Sequence, residues 1–265
     1  MGTIYVKDVI EALTSPDIEI ENTVDGLEFG KPDEIVKGIA VTFLATQEAV
    51  CEADKLGVNL IISHEGIFFS HRAKLQELQL NRVFQQKYRT IEENGLAIYR
   101  YHDHIHRYLP DAITAGLVKS LGWQAYEIEN LPAATICSIP VLTLQEVIHH
   151  VKERLGMRFI RVIGDVSMPC RRVGLLVGYR GHGDSAIPLS EEKNLDLLIY
   201  GEGPEWETPE YIRDAVLQGK QKAVIVLGHA ESEMPGMIYL TETLQEKFPD
   251  VPVRFIPQKP VFKIF

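Results

Sequence analysis

Histidine and acidic side chains cluster in three short segments of this chain. His64 and Glu65 follow the apolar run VNLIIS. The run HDHIH at 102–106 follows LAIYRY, and GHAESE at 228–233 follows AVIVL. Six of the nine histidines lie in or within a few residues of these segments. Because imidazole and carboxylate donors together suit zinc, iron, manganese or nickel, the three segments predict a metal site without thiolate ligands.

The number of donors favours more than one ion. A catalytic zinc ion takes three protein ligands and keeps one position open, so a larger donor set suits two divalent ions with a bridging carboxylate or water. Residues four apart share one face of a helix, which is the spacing of the last two donors in the set. The predicted metal ligands are His64, Glu65, His106, His229 and Glu233. The predicted acid–base residues beside them are Glu202, His102 and His104.

Each segment also has a purely structural interpretation. A histidine at the end of a strand is commonly a hydrogen-bonded loop residue, and acidic residues at the start of a helix are favoured by its dipole. The HDHIH run would place His102, His104 and His106 on one side if extended, or it is a solvated surface run. Glu202 ends the strand DLLIY and either faces the metals or caps the next helix. The shared location of the three segments at strand ends favours metal binding.

The elements that position these segments alternate between apolar strands and helical patterns. This alternation is typical of α/β proteins with a mostly parallel sheet covered on both faces. Ligands collect beyond the carboxyl ends of such strands, where the three segments lie. Predicted strands lie at 38–44, 58–63, 96–101, 172–177, 196–200 and 223–228. Predicted helices follow Thr46 and cover 72–94 and 112–121.

The middle of the chain reads as a second lobe. Residues 124–163 show short strand-like segments around one helical pattern, QEVIHHVKERLG. Since His229 and Glu233 are expected to join His64, the C-terminal segment should return to the first lobe. The sequence thus predicts a metal-binding α/β lobe of residues 1–125 plus 220–265 and a second α/β lobe of residues 126–219.

A glycine-rich loop offers an alternative binding function. The segment VGLLVGYRGHGDSAIPL places Gly178, Gly181 and Gly183 before a predicted helix start. Backbone N–H groups in such a loop can cradle a phosphate, with Arg180 adding positive charge. The loop fits no complete nucleotide-binding fingerprint, so a tight turn without a ligand is the favoured interpretation.

Composition excludes several classes of partner. The net charge of −10 argues against nucleic acid and anionic membranes, because phosphate surfaces require clustered Lys and Arg. No apolar run reaches the ~20 residues of a spanning helix, and the N-terminus lacks the order of a signal peptide. The three cysteines are too scattered for a disulfide framework or a thiolate zinc site. We expect a cytoplasmic protein.

The order of these motifs resembles the Nif-three-like dinuclear metal centre proteins, also called the GTP cyclohydrolase I type 2 family. The segments that carry the resemblance are DGLEFGKP, LIISHEG, YHDHIH with DAITAGLVKSLGW, LDLLIYGEG, GHAESE and VPVRFIPQKPV. They run over nearly the whole chain. The resemblance implies a Nif-three-like fold of two interlinked α/β lobes, two divalent metal ions, and assembly into a hexameric ring.

The ligand motifs differ from the family pattern at two positions. Where the family has His-His-Pro, this chain has His64, Glu65 and Gly66. The family's His-Thr-Asn-Leu-Asp aligns with 102–106, so His106 stands in place of the aspartate ligand. The closing histidine and glutamate match the pair at 229 and 233. One histidine has become a carboxylate and one carboxylate a histidine, so the resemblance implies that ligand number and charge are conserved.

Three functions follow as hypotheses. The first is a metal-dependent hydrolase acting on a small molecule, for which the family name implies a nucleotide such as GTP. In this hypothesis the two ions lower the pKa of a water molecule and polarise the substrate. The second is a metal-binding or regulatory scaffold protein without turnover. The third is a nucleotide-binding module that uses the loop at 178–185 and binds independently of metal.

Overall fold

A computed structural model describes residues 2–16, 18–73 and 75–264. Its strands and helices alternate along most of the chain. The helices are α1 Val6–Leu13, α2 Gln47–Lys55, α3 Leu75–Leu78, α4 Arg82–Glu93, α5 Ala112–Leu121, α6 Leu144–Leu155, α7 Gly183–Glu192, α8 Thr208–Leu217 and α9 His229–Lys247. The strands are β1 Gly26–Phe29, β2 Ile39–Thr42, β3 Leu60–Ser63, β4 Ala97–Arg100, β5 Glu127–Leu131, β6 Ala134–Thr143, β7 Arg161–Ile163, β8 Pro169–Leu176, β9 Leu197–Tyr200, β10 Ala223–Val226 and β11 Val253–Phe255.

The chain divides into two compact units. Unit 1 comprises Met1–Arg107 and Met237–Phe265, and unit 2 comprises Tyr108–Gly236. Each unit contains one sheet with helices packed against it. The division expected from the sequence, into a lobe of residues 1–125 plus 220–265 and a lobe of residues 126–219, stays a prediction.

The sheet of unit 1 is mostly parallel. Its strand order is β1-β4-β3-β2-β11, and only the edge strand β1 pairs in the antiparallel direction. Every residue of β2 and β3 is buried, as expected for strands covered on both faces. Side chains from α2 and α4 complete the core on one face, where Val50 and Phe84 pack near Ile61.

Two helices of unit 1, α2 and α4, begin at side-chain caps. The Thr46 hydroxyl accepts a hydrogen bond from the Ala49 N–H and begins α2, as the sequence predicts. The prediction of one continuous helical region at 72–94 is wrong, because the structure has two helices there, α3 and α4. The Asn81 side chain accepts hydrogen bonds from the N–H groups of Val83 and Phe84 and thereby begins a new helix.

The sheet of unit 2 is mixed, with its parallel pairs at the centre. Its order is β5-β6-β8-β9-β10-β7; β8, β9 and β10 run parallel, while β5, β6 and β7 pair antiparallel with their neighbours. Residues of β9 and β10 are buried throughout. The parallel strands are the part of this sheet that carries the site residues at its carboxyl end.

The start of α9 in unit 2 packs closely against α5. A Cβ placed on Gly116 would lie 2.4 Å from the Cα of Gly236, so this contact requires glycine. His229 and Glu233, which are four residues apart, lie in the first two turns of α9. Pro235 lies in the second turn of α9, because the helix starts at His229.

The α/β class predicted from the alternation is therefore confirmed. The apolar runs become buried strands because both faces of each central strand are covered. In the described part of the chain, no helix combines the length and the apolar character that crossing a membrane requires.

Candidate metal centre

Two neighbouring strands of unit 1 deliver the histidines to the same edge of the sheet. β3 and β4 are parallel partners, with Ser63 opposite Arg100 at their carboxyl ends. His64 and Glu65 directly follow β3, and the 102–106 segment follows β4. The hydrogen bond from the Tyr101 N–H to the Ser63 carbonyl, at 2.8 Å, extends the pairing one step beyond the strands. The segments that follow β3 and β4 therefore converge within this unit.

His64 is buried with one ring nitrogen committed to the backbone. Its Nδ1 lies 3.0 Å from the Tyr101 carbonyl oxygen. Since a carbonyl only accepts, Nδ1 carries the proton and Nε2 carries the lone pair. The ring stacks on His102 at 4.7 Å and lies 5.1 Å from the ring of His106. A histidine held this way has its Nε2 oriented for a metal ion.

His102 is held by its sequence neighbour in the same manner. Its Nδ1 lies 3.0 Å from Oδ1 of Asp103. Burial by itself would raise the pKa of Asp103, but hydrogen bonds from Val24 and His102 lower it overall, so the carboxylate accepts the Nδ1 proton. Burial, together with the neighbouring His64 and His106, lowers the pKa of His102 to about 4. The imidazole is therefore neutral near pH 7, which is the form that binds metals.

The 102–106 segment turns rather than continuing the strand. A 3₁₀ helix at Ile105–Arg107 brings His106 back so that its ring lies 5.2 Å from that of His102. The ring of His104 points elsewhere, with Nε2 3.4 Å from the Pro16 carbonyl oxygen. The alternation expected of an extended segment is therefore absent, and the turn separates His104 from the other two histidines.

Asp25 anchors this turn. Its Oδ1 accepts hydrogen bonds from the N–H groups of His102 and Asp103 at 2.6 and 2.8 Å, and its Oδ2 accepts one from His104 at 2.8 Å. Sequence reasoning missed this role. No local sequence pattern could reveal this role, because Asp25 and His102 lie 77 residues apart in the chain.

Glu65 lies between two imidazoles. Its Oε2 is 2.9 Å from Nε2 of His71, and its Oε1 is 3.8 Å from Nε2 of His102. His71 was not among the predicted site residues. It sits in the loop after β3, at a spacing that matches no metal motif, so the sequence carries no clear signal for it.

The described side chains of unit 1 form two groups of three donors. In each group the donor atoms lie within 4.8 Å of one another, and both groups contain His102. One group is His64, His102 and His106. The other is Glu65, His71 and His102. Of the predicted ligands, His64 and His106 thus lie in one group and Glu65 lies in the other.

Unit 2 places a single histidine between two carboxylates. His229 begins α9, and its Nδ1 lies 2.9 Å from Oε1 of Glu202. Its Nε2 lies 3.3 Å from Oε2 of Glu233, which is one helical turn further on and 3% exposed. Each ring nitrogen of His229 therefore faces a carboxylate oxygen. These are the three site residues predicted in this unit.

Backbone turns hold this second cluster in place. The Ser232 hydroxyl accepts a hydrogen bond from the Gly178 N–H at 2.9 Å and donates one to the His229 carbonyl at 2.8 Å. Gly178 has a φ of +60°, and a Cβ there would lie 2.3 Å from Oε1 of Glu233. Only glycine satisfies both the left-handed conformation and the close approach of the carboxylate.

The glycine-rich loop that follows already satisfies its own polar groups. Arg180 pairs with the buried carboxylate of Asp111 at 2.7 Å. The Gly183 N–H at the start of α7 donates to Oε2 of Glu207 at 2.6 Å. A protein carboxylate thus occupies the position where a phosphate would bind. This supports the interpretation of the loop as a tight turn.

Comparisons with known proteins agree with the motifs. A model of the Duf34/NIF3 (NGG1p interacting factor 3) family matches residues 3–260. A protein of Clostridium perfringens named GTP cyclohydrolase 1 type 2 homolog is 23% identical over 246 residues, which cover 88% of this chain and 87% of that protein.

Solved structures show the same fold. A Bacillus cereus protein related to NIF3 matches with a TM-score of 0.76 at 17% identity, covering 100% of this chain and 99% of that one. A Staphylococcus aureus protein matches with a TM-score of 0.76 at 17% identity, covering 99% of both chains. Because the family model spans nearly the whole sequence and the fold agrees, this chain belongs to the Duf34/NIF3 family.

Proposed function

We propose that the protein is a metal-dependent hydrolase that holds two divalent transition-metal ions and acts on a small substrate. The observation that supports this most strongly is the imidazole cluster of unit 1, in which His64 and His102 are held with Nε2 as the lone-pair nitrogen. The donor atoms of these two histidines and of His106 lie within 4.8 Å of one another. The proposed ligands are His64, Glu65, His106, His229 and Glu233.

The donors present fit zinc, iron, manganese or nickel. Unit 1 offers imidazoles beside one carboxylate, and unit 2 offers one imidazole beside Glu202 and Glu233. Mixed nitrogen and oxygen donors match the preferences of these ions, and the cysteines lie elsewhere in the chain as free thiols. Two such ions, when bound, supply Lewis-acid activation of water and of the substrate near neutral pH.

Glu202 is the proposed acid–base residue. Its side chain is 45% exposed, and only Oε1 contacts His229. It can therefore orient the histidine with one oxygen and exchange a proton with a substrate through the other. The sequence also predicts this role for His102 and His104, and for both residues it stays a prediction.

The proposed substrate class is a nucleotide or a similarly small polar molecule. The support is the name of the relatives, GTP cyclohydrolase 1 type 2 homolog.

Elemental analysis followed by a substrate screen tests the proposal. Protein purified without added metal should carry divalent ions, and the metal-loaded protein should hydrolyse at least one member of a panel of nucleotides, phosphoesters and amides. Glu202→Gln should lower the turnover by ~10²-fold or more, as expected for loss of an acid–base group. Glu205→Gln is the matched control, since Glu205 is 81% exposed and pairs with Arg161. Protein that binds no metal would contradict the proposal.

A metal-binding or regulatory scaffold without turnover is the second candidate. It is favoured by large apolar side chains that are exposed on the chain, including Leu80, Trp206 and Leu217, since such residues commonly contact other proteins. This candidate predicts stoichiometric metal binding with no hydrolysis of any substrate in the same panel.

We also propose a cytoplasmic homo-hexamer. The ring is what the family resemblance implies, and the exposed apolar side chains supply surface for contacts between subunits. The three free cysteines fit a reducing compartment. Multi-angle light scattering that gives the mass of a single chain at micromolar concentration would contradict the hexamer.

A further inference from the structure

We propose that His71 is a metal ligand and that Glu65, His71 and His102 form a metal site within unit 1. The inference rests on the proposed metal binding and adds a ligand that the sequence motifs do not contain. It also assigns His102 as a ligand rather than an acid–base residue.

The three donor atoms already face one another. Nε2 of His71 lies 2.9 Å from Oε2 of Glu65, and Nε2 of His102 lies 3.8 Å from Oε1 of the same carboxylate. The two imidazole rings meet edge to face at 4.5 Å. Each histidine thus approaches a different oxygen of Glu65, and the three donor atoms lie within 4.8 Å of one another.

A tight turn returns His71 to the site. The chain folds back after Glu65, and a Cβ on Gly66 would lie 2.6 Å from the Ser70 carbonyl oxygen and 3.1 Å from the His71 nitrogen. Arg100 then holds the returning segment, donating from Nη1 to the His71 carbonyl at 2.8 Å and pairing through Nη2 with Glu28 at 2.9 Å. The position of His71 is therefore set by the backbone.

The tautomer of His102 supports this assignment. Its Nδ1–H is donated to Asp103, so only Nε2 is available to a metal ion, and this is the atom nearest Glu65. A carboxylate behind a histidine is the usual arrangement around metal-bound imidazoles, because it fixes the ring and raises the basicity of the ligating nitrogen.

The donor set matches that of catalytic zinc. Two histidines and one glutamate bind the ion in several zinc hydrolases and leave a fourth position for water or substrate. Their combined charge of −1 leaves a bound divalent ion with net positive charge, which favours Lewis-acid chemistry. The exposed fractions of the His71 and His102 side chains, 37% and 23%, allow water to reach that position.

Zinc binding by four forms of the full-length protein tests the proposal. They are the wild type, His71→Ala, His71→Gln and His149→Ala. His149 is 81% exposed on α6, so His149→Ala is a matched control. His71→Gln preserves a hydrogen bond to Glu65 but not an imidazole ligand. Zinc content and affinity are measured after equilibrium dialysis, and the ligand field is followed by the visible absorption of the Co²⁺-loaded protein.

If His71 is a ligand, both substitutions at 71 should remove about one ion per chain or weaken one site by at least ~100-fold, and both should change the Co²⁺ spectrum. His149→Ala should match the wild type. If His71→Gln restores wild-type binding, His71 acts only through its hydrogen bond and the proposal is wrong. It is equally wrong if both variants at 71 bind zinc as the wild type does. If the wild-type protein binds no zinc, the result contradicts the proposed metal-dependent function itself.

Discussion

The two clusters use the same ligand types in opposite proportions. Unit 1 gathers the imidazoles of His64, His71, His102 and His106 with one carboxylate as a candidate ligand, that of Glu65. Unit 2 sets one imidazole, that of His229, between the carboxylates of Glu202 and Glu233. In both, a carboxylate lies within hydrogen-bond distance of the Nδ1 atom of a histidine, and the Nε2 atom faces other partners.

The two units therefore differ in how many metal-binding side chains each can supply. Unit 1 has two groups of three donors among its described side chains, so it meets the ligand number of a zinc site by itself. In unit 2, the Nδ1 side of His229 is committed to Glu202, which leaves its Nε2 and Glu233 as the predicted donors. We therefore expect the metal affinity of the protein to depend chiefly on unit 1.

The largest expected loss of metal affinity comes from substituting His102, because both donor groups of unit 1 contain this residue. His102→Ala should weaken zinc binding by at least ~100-fold, because it removes a donor from each group. His229→Ala should weaken it by only ~10-fold. Titration of the purified variants against a competing chelator measures both. Equal losses in the two variants would show that the units contribute equally.

A smaller effect is expected at the residue that shapes the unit 1 cluster without binding metal. Asp25→Ala leaves three backbone N–H groups without their carboxylate acceptor and should lower the free energy of unfolding by about 2 kcal/mol. Urea denaturation of the metal-free protein measures the change. Asp33→Ala is the control, because Asp33 is 79% exposed in a surface pair with Lys7 and its loss should cost under ~1 kcal/mol. If both variants lose a similar amount of unfolding free energy, Asp25 does not anchor the turn.

The smallest effect compares the carboxylates that orient a histidine in each unit. Glu202→Gln and Asp103→Asn replace a charged acceptor by a neutral one at His229 and His102. Each should weaken zinc binding by ~10-fold, the lower end of the effect of such outer partners. Isothermal titration calorimetry provides the measurement. If only Asp103→Asn has an effect, Glu202 does not orient a ligand.

Local patterns in the sequence were sufficient for many of the secondary-structure elements. The apolar runs at β2, β3 and β10 predicted buried strands because parallel strands have no solvent-facing side, and Thr46 predicted the start of α2 because its hydroxyl caps the helix. Where two local signals competed, the prediction failed. The polar region at 72–94 looked continuous, but the Asn81 side chain satisfies the N–H groups of a new helix start.

The sequence by itself determined which donors this protein has and that most of them follow strands. The pairing of β3 with β4 brings the residues after each to one edge, and this follows from hydrophobic pattern and topology. Only the tertiary structure decided which nitrogen of each histidine faces the site, that His71 joins Glu65, and that Asp25 shapes the turn after β4. These features depend on hydrogen bonds and turns between residues that are far apart in the sequence or that follow no repeating pattern. Such contacts exist only once the chain has folded, so local periodicity does not predict them.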